Sequence, residues 1–578
     1  MIKQDLSLRI EKHLLKIYED IKSTEDIKNL ANDLTIYIEN TLSKKTVPLK
    51  NINKWSENDV VLISYANSLT DKKQKPLITL NHFLEKNCKD LASIVHILPF
   101  FPSSSDHGFS VIDYYSVDKA FGDWSDIKSI SKNFSIMCDV VINHGSAKSE
   151  WFSNFVKGNG PGSNYFLTAD NSMDLSNVTR PRTSNLLSKV NTSSGEQYVW
   201  CTFSEDQVDY NFENYEVLKE FVSIISFYLN KGVSIFRFDA VAFLWKKVGT
   251  NCINLPQTHE IVRLFRTIID YLSSDAILVT ETNTPARENV SYFGNANEAH
   301  WIYNFSLPPI LIYSILKGNA SYLEKLTMSL PPAQLGSSYL NFIASHDGIG
   351  LRPAEGILSK TEINNFISQM KKNGGLISYR ADKDGKSNPY EINISLFDAM
   401  TETFGGETNS IIDRYLCIHT IMMSLEGVPG LYIHSLFGTQ NDYKLYDLNK
   451  HNRDLNRHIY TMDEIDNLLN DQNKNKIFYE LKRLLSIRKK QKAFHPNAVQ
   501  FTLHLGNNFY GIWRQSQDKT QSIFCITNMT DKVQDFSLMD INLIGFDKWK
   551  DLINNENINN INSSITLSPY QSIWLSNQ

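Results

Sequence analysis

The sequence predicts an α/β protein built on a (β/α)8 TIM barrel, with a small domain inserted after strand 3 and an antiparallel β-domain at the C-terminal end. Three observations carry this expectation. Eight short apolar runs rich in β-branched residues occur with helical stretches between most of them, as buried parallel strands do. About 90 residues separate the third and fourth runs, the first half, from Gly145 to about Val208, rich in Gly, Pro, Ser and Asn, and that stretch is too long for an ordinary connection. From about Ala498 the pattern changes to alternating strands with turns. A chain of 578 residues has room for all three parts, since a barrel alone uses about 250 residues.

The elements follow in order. Residues 1–57 read as a charged helical region, because Leu14, Ile17 and Ile21 recur at spacings of three and four. The sequence leaves open whether it forms a lid, a dimer contact or simple packing. A catalytic barrel is expected over 58–490, its strands being the runs 60–65, 94–99, 136–143, 234–240, 276–282, 301–305, 339–345 and 428–433. The inserted domain takes 145–210, a stretch opening in Gly, Pro, Ser and Asn. A second excursion covers about 352–407, with Gly374–Gly375, Lys383–Ser387 and Gly405–Gly406. The β-domain takes 491–578, with FTLHL, FYGIWR, SIFCITN and SIWLS as strands and 553–565 as loop and edge.

Composition narrows the function. Hydrophobic residues at 42% and charged residues at 21% exclude disorder. Lys+Arg 58 against Asp+Glu 63 leaves a charge of −5, which gives no general attraction for nucleic acid or an anionic membrane. The six cysteines, at 88, 138, 201, 252, 417 and 525, form no CxxC and read as reduced, buried thiols. The opening segment lacks the apolar core of a signal peptide, and no window approaches the ~20 apolar residues of a membrane span. A cytoplasmic location is expected, with a homodimer left open as the assembly.

Active sites of such barrels form at the C-terminal ends of the strands, and there ionisable residues collect. The second run leads into Asp106, His107 and Phe109, and the third carries Asp139 and ends at His144. The fourth embeds Arg237 and Asp239, the fifth ends at Glu281 and Asn283, and the seventh at His346 and Asp347. One such group, Asp139 above all, reads equally well as structural, and Arg237 with Asp239 as a buried ion pair. Five strands carrying them at one end is hard to reconcile with packing alone, because burying unpaired charge is costly. Three carboxylates from three strands suit glycoside chemistry, in which an acid and a nucleophile or base flank an oxocarbenium-like centre.

DVVINH, FRFDA, TETN and SHD, in this order, resemble the four signature regions of the α-amylase family of retaining glycoside-active enzymes. The resemblance implies Asp239 as nucleophile, Glu281 as general acid/base and Asp347 as stabiliser of the transition state. It implies Arg237 as the cation keeping the nucleophile ionised, and His144 and His346 as partners of the glucose ring. LPFFPSSSDHGFSVIDY, VTRPRTSNLL, GTNCINLPQTH, SHDGIGLRP and RDLNRH look like the sucrose phosphorylase subgroup, over about residues 58–460. Asp106 and Arg457 would then close over the glucosyl unit, with Phe109 as its apolar platform. Inorganic phosphate would be the attacking group, α-glucose 1-phosphate the product, and Arg182 the phosphate-binding residue.

Three departures bear on the leaving group. Phe243 stands where sucrose phosphorylases have tyrosine, Asn283 where they have histidine, and Glu391, after Tyr390, where they have glutamine. ETN, YEIN and SHDGIGLRP look closer to glucosylglycerate phosphorylases. The expected substrate is accordingly a small α-glucoside, 2-O-α-glucosylglycerate as the best guess, with Asn283 and Arg352 as donors to the glycerate carboxylate. Glu391 sits awkwardly beside that carboxylate unless it binds hydroxyls, which keeps glucosylglycerol open. Sucrose and sucrose 6'-phosphate phosphorylases, an α-glucoside hydrolase and a catalytically inactive binding homologue are the alternatives. Asn143 resembles a calcium ligand of true amylases, but no acidic partner set is visible; neither a metal nor an organic cofactor is expected.

Overall fold

The structure, a computed structural model, describes residues 2–41, 54–381, 387–407, 409–472, 475–545 and 547–577. Residues 42–53 of the N-terminal region and most of Lys383–Ser387 lie outside the described residues. Eight parallel strands form the centre: β1 (Val61–Ser64), β2 (Ile94–Ile97), β3 (Ser135–Val141), β4 (Val233–Asp239), β5 (Ile277–Thr280), β6 (Trp301–Tyr303), β7 (Ser338–Phe342) and β8 (Val428–Tyr432). They close in the order 1-8-7-6-5-4-3-2, each within one residue of a predicted run. Nearly every strand residue is buried, which is why the runs read as continuous rather than alternating. Register matters most between β3 and β4, where Asp139 lies opposite Arg237 and Val141 opposite Asp239.

Two excursions rise from the C-terminal ends of the strands. The first leaves β3 through His144–Ser146, which pairs antiparallel with Gln207–Asp209, so it begins and ends at one point of the rim. It contains the helix Glu150–Lys157, capped by the Ser149 hydroxyl and ended by left-handed Gly158, and the hairpin Leu187–Thr192 with Gly195–Trp200. The second follows β7 and forms a three-stranded sheet of Ile349–Gly350, Ser387–Asn393 and Leu376–Ala381.

The N-terminal helices Ile2–Tyr18 and Thr24–Thr41 pack on each other, and the first lies along Pro256–Leu272, the helix between β4 and β5. His13 Nδ1 is 2.7 Å from Glu260 there, and Leu6, Ile10, Leu14 and Ile17 are buried. Ile21 falls beyond the helix end and is exposed, so the predicted spacing stops one turn early. At the other end six antiparallel strands form one sheet, with a two-stranded partner around Phe524, Ile526, Phe536 and Trp549. The six cysteines are free and buried. Among the described residues, no helix is long and apolar enough to cross a membrane.

Candidate active site

A cavity of about 820 Å³, open mouth included, sits at the C-terminal ends of the strands, and Asp239, Glu281 and Asp347 all line it. Asp106, Phe109, His144, Arg182, Asn283, His346, Arg352 and Tyr390 share the lining. Arg237, Arg457 and Glu391 stand behind it.

Asp239 ends β4, and its Oδ1 accepts from Arg237 Nη1 at 2.7 Å. The same nitrogen donates to Asp139, which His96 Nε2 approaches to 2.8 Å from β2. Neighbouring strands therefore supply one buried charge chain, His96–Asp139–Arg237–Asp239, and Asp139 is an internal anchor at zero exposure. After Asp239 the backbone turns sharply: Ala240 has φ 53°, a left-handed conformation costly for a residue with a Cβ. That turn aims the Ala240 N–H at Glu281 Oε2, 2.9 Å away, which ties the Glu281 carboxyl to the residue that follows Asp239.

Burial raises the carboxyl of Asp239 and that of Glu281, Arg237 opposes this in both, and charge repulsion from Glu281 on Asp239 and from Asp347 on Glu281 adds to the rise. The pair therefore retains a proton to higher pH than free carboxyls do. A guanidinium in direct contact with Asp239 favours the anion there and leaves the proton to Glu281. Asp347 behaves oppositely. Burial alone would push it up, yet the guanidinium groups of Arg453, Arg237 and Arg457 hold it well below the usual carboxylate range.

Arg453 is the main residue that the sequence reading passed over, although it lies in the quoted RDLNRH. Its Nη1 is 2.6 Å from Asp347, and its Nε and Nη2 bind Glu391 bidentately at 3.0 and 2.7 Å. Glu391, predicted to face the substrate, is instead almost fully buried and neutralised by this arginine. Tyr390, on the opposite face of the same strand, reaches the cavity and lies 5.9 Å beneath the Arg182 guanidinium.

One side of the cavity is built from rings. Phe109 and His346 stack with centroids 5.1 Å apart and planes 4° off parallel. Burial lowers His346 to about 3, so its imidazole is neutral, and its Nδ1 is buried without a partner. His144 is already occupied: Nε2 lies 3.0 Å from the Phe109 carbonyl and Nδ1 3.2 Å from Asn143. Asp106 accepts from Gln207. Arg457 donates Nε to the His346 carbonyl at 3.0 Å and keeps both terminal nitrogens buried without a partner among the described residues.

On the other side, Asn283 donates to the Tyr390 hydroxyl at 3.4 Å and leaves its Oδ1 buried and unpaired. A Cβ on Gly350 would stand 2.6 Å from that oxygen. Arg352 pairs with Glu288 at 3.1 Å, whereas Arg380, also unpredicted, lines the cavity with Glu355, at 3.9 Å, its nearest carboxylate among the described residues. Asn143 Oδ1 accepts from the buried Lys246 ammonium at 2.8 Å, which also pairs with Asp209 at 2.6 Å. A fixed side-chain cation between those oxygens does not fit a calcium ion.

Residues 89–347 match the family model of the alpha amylase catalytic domain. The glucosylglycerate phosphorylase of Allomeiothermus silvanus is 40% identical over 525 residues, 90% of this chain and 91% of that protein. The chain belongs to the α-amylase family. A second family member, the glucosylglycerate phosphorylase of Escherichia coli, is 37% identical over 92% of this chain and 94% of its own. The fold also matches the crystal structure of sucrose 6F-phosphate phosphorylase from Thermoanaerobacter thermosaccharolyticum, with a TM-score of 0.72 and 24% identity over 88% of this chain and 98% of that one.

Proposed function

We propose that this α-amylase family member is a retaining phosphorylase that cleaves 2-O-α-glucosylglycerate with inorganic phosphate to give α-glucose 1-phosphate and glycerate. The observation that carries the reading is the 37–40% identity to glucosylglycerate phosphorylases along nine-tenths of the chain. The carboxyl arrangement is consistent with it.

In the first step the Asp239 carboxylate attacks the anomeric carbon. The bond to the glycerate oxygen breaks, and Glu281 delivers its proton to that oxygen. The product is a β-glucosyl ester of Asp239. In the second step a phosphate oxygen attacks the same carbon from the vacated side, the ester bond breaks and Glu281 takes up the proton of the entering group. Two inversions give net retention. Asp347, kept ionised by Arg453, binds the glucosyl hydroxyls and supports positive charge developing on the ring. Asp106 and Arg457 close over the sugar while Phe109 lies against it.

Glycerate and phosphate are both anions that approach a site holding three carboxylates, so both need cations. Arg182, beside Tyr390, makes no ion pair among the described residues and takes phosphate; Asn283, Tyr390 and Arg352 border the glycerate. The burial of Glu391 against Arg453 removes a negative charge that would have opposed glycerate and favoured a neutral acceptor.

The test runs the reaction in the synthetic direction. Purified enzyme receives α-glucose 1-phosphate with glycerate, glycerol, fructose, fructose 6-phosphate or glucose, and phosphate release is followed. Release with glycerate well above the other acceptors is expected. Release with another acceptor alone would overturn the substrate assignment. Release of phosphate no faster than an acceptor-free blank, with free glucose accumulating, would make the enzyme a hydrolase.

A further inference from the structure

Beside the glucosyl end of the cavity lies a cluster that this chemistry does not use. His107 Nε2 is 2.9 Å from Asp454 Oδ1, and His451 Nδ1 is 3.9 Å from the same oxygen. One donor atom from each of the three residues lies within 4.8 Å of the others, and the imidazole centroids are 5.3 Å apart. Asp454 is fully buried. Its Oδ2 accepts from Asn449 at 2.8 Å, but its Oδ1 has no correctly directed hydrogen bond, and neither has the buried Nδ1 of His451. Leaving such lone pairs unsatisfied is costly.

The backbone is strained toward this arrangement. Asp106 and His107 both adopt left-handed conformations, φ 50° and 49°, uncommon for residues with a Cβ. The turn sends Asp106 to the cavity and His107 to Asp454.

We propose that His107, His451 and Asp454 form a binding site for a divalent transition-metal ion, with Zn2+ the best match. Two imidazole nitrogens and one carboxylate oxygen are a common three-residue set for Zn2+, the fourth tetrahedral position going to water. Bonds of about 2.0–2.2 Å put tetrahedral donor atoms roughly 3.4 Å apart, so His107 Nε2 must move slightly away from Asp454 Oδ1 while His451 Nδ1 moves in, and the side chains of His107 and His451, 33% and 42% exposed, have room to turn. Asp454 and nearby Asp106 supply negative charge. The charge of Arg453 is matched by Asp347 and Glu391, and the Arg457 guanidinium lies over the Tyr65 ring, 5.4 Å from its centre. The ligands come from two segments, the turn at Asp106 and the 3-10 turn Asn452–Asn456, so a bound ion would tie the two walls of the sugar pocket together.

The experiment titrates Zn2+ alone, by calorimetry and by competition with a chromophoric chelator, into tag-free full-length protein stripped of metal. Co2+ is the spectroscopic probe. One equivalent of Zn2+ and the strong visible absorption of tetrahedral Co2+ are expected. His451→Ala and His107→Asn should each weaken binding at least about tenfold; asparagine tolerates the left-handed backbone at 107, so this variant keeps the turn even if His451→Ala disturbs folding. Equal uptake by the parent and a folded His107→Asn variant, or no uptake by the parent, would overturn the proposal and leave a hydrogen-bonded cluster.

Discussion

Arg453→Met removes one cation from between two buried carboxylates. Glu391 is 1% exposed and loses both its hydrogen bonds to Arg453; stranding one partner of a buried ion pair costs about 3–5 kcal/mol. Asp347, at 16% side-chain exposure, loses a contact of 2.6 Å and adds less. With Arg453 gone, burial dominates and the Asp347 carboxyl rises. In the parent its depressed value keeps it ionised, and the associated stabilisation is lost only as pH falls through that value. In the variant the anion returns only toward higher pH. Urea unfolding should therefore show a loss of at least about 3 kcal/mol. Phosphorolysis kcat/KM should fall about 100- to 1,000-fold, or roughly 3–4 kcal/mol, with a larger deficit at pH 6 than at pH 8. Glu391→Gln keeps the Arg453–Asp347 contact and should cost about tenfold without that pH trend. An Arg453→Met enzyme within about threefold of the parent, or with a deficit flat in pH, would show that Arg453 does not hold Asp347 ionised.

Three further outcomes follow from the same geometry. Arg182→Ala should raise the KM for phosphate by about tenfold or more while slow hydrolysis of the glucosyl-enzyme is unchanged; equal losses would remove Arg182 from the phosphate site. Glu281→Gln should abolish the alkaline limb of the pH profile for glucosides with poor leaving groups, together with at least about 100-fold in rate; a retained limb would assign the proton elsewhere. Burial pushes Glu426 from an ordinary 4.5 up to about 7, so the folded state binds its proton more tightly and stability falls as pH rises through that window. Glu426→Gln, which can still accept from the Ala333 N–H, should gain on the order of 3 kcal/mol relative to the parent at pH 8 and little at pH 5, and a pH-independent difference would refute the assignment.

The barrel was legible because its strands are buried on both faces and interrupt a polar sequence as continuous apolar runs. Asp239, Glu281 and Asp347 were legible because they stand at the same end of three of those runs. Glu391 was misread for a local reason. Neighbouring residues of a strand point to opposite faces, and sequence does not say which of Tyr390 and Glu391 turns inward; pairing of Glu391 with Gly350 and Ser378 decides it. Arg453 and His451 come from a short 3-10 turn and its approach, where no periodicity marks a face. His107 drew attention only through its neighbours Asp106 and Phe109, and its partner lies 347 positions along the chain, as the numbering of Asp454 makes plain.

The charge chain from His96 to Asp239 runs crosswise over three paired strands, whereas Arg182, Tyr390 and Arg352 sit on the two excursions above them. Under the proposed function, bond-making and choice of partner are thus carried by separate stretches of sequence. Exchange or drift in the excursions can re-aim the enzyme at a new glucosyl acceptor while the machinery beneath remains fixed in the wall of the barrel. Divergence among relatives of this protein should therefore be read there first.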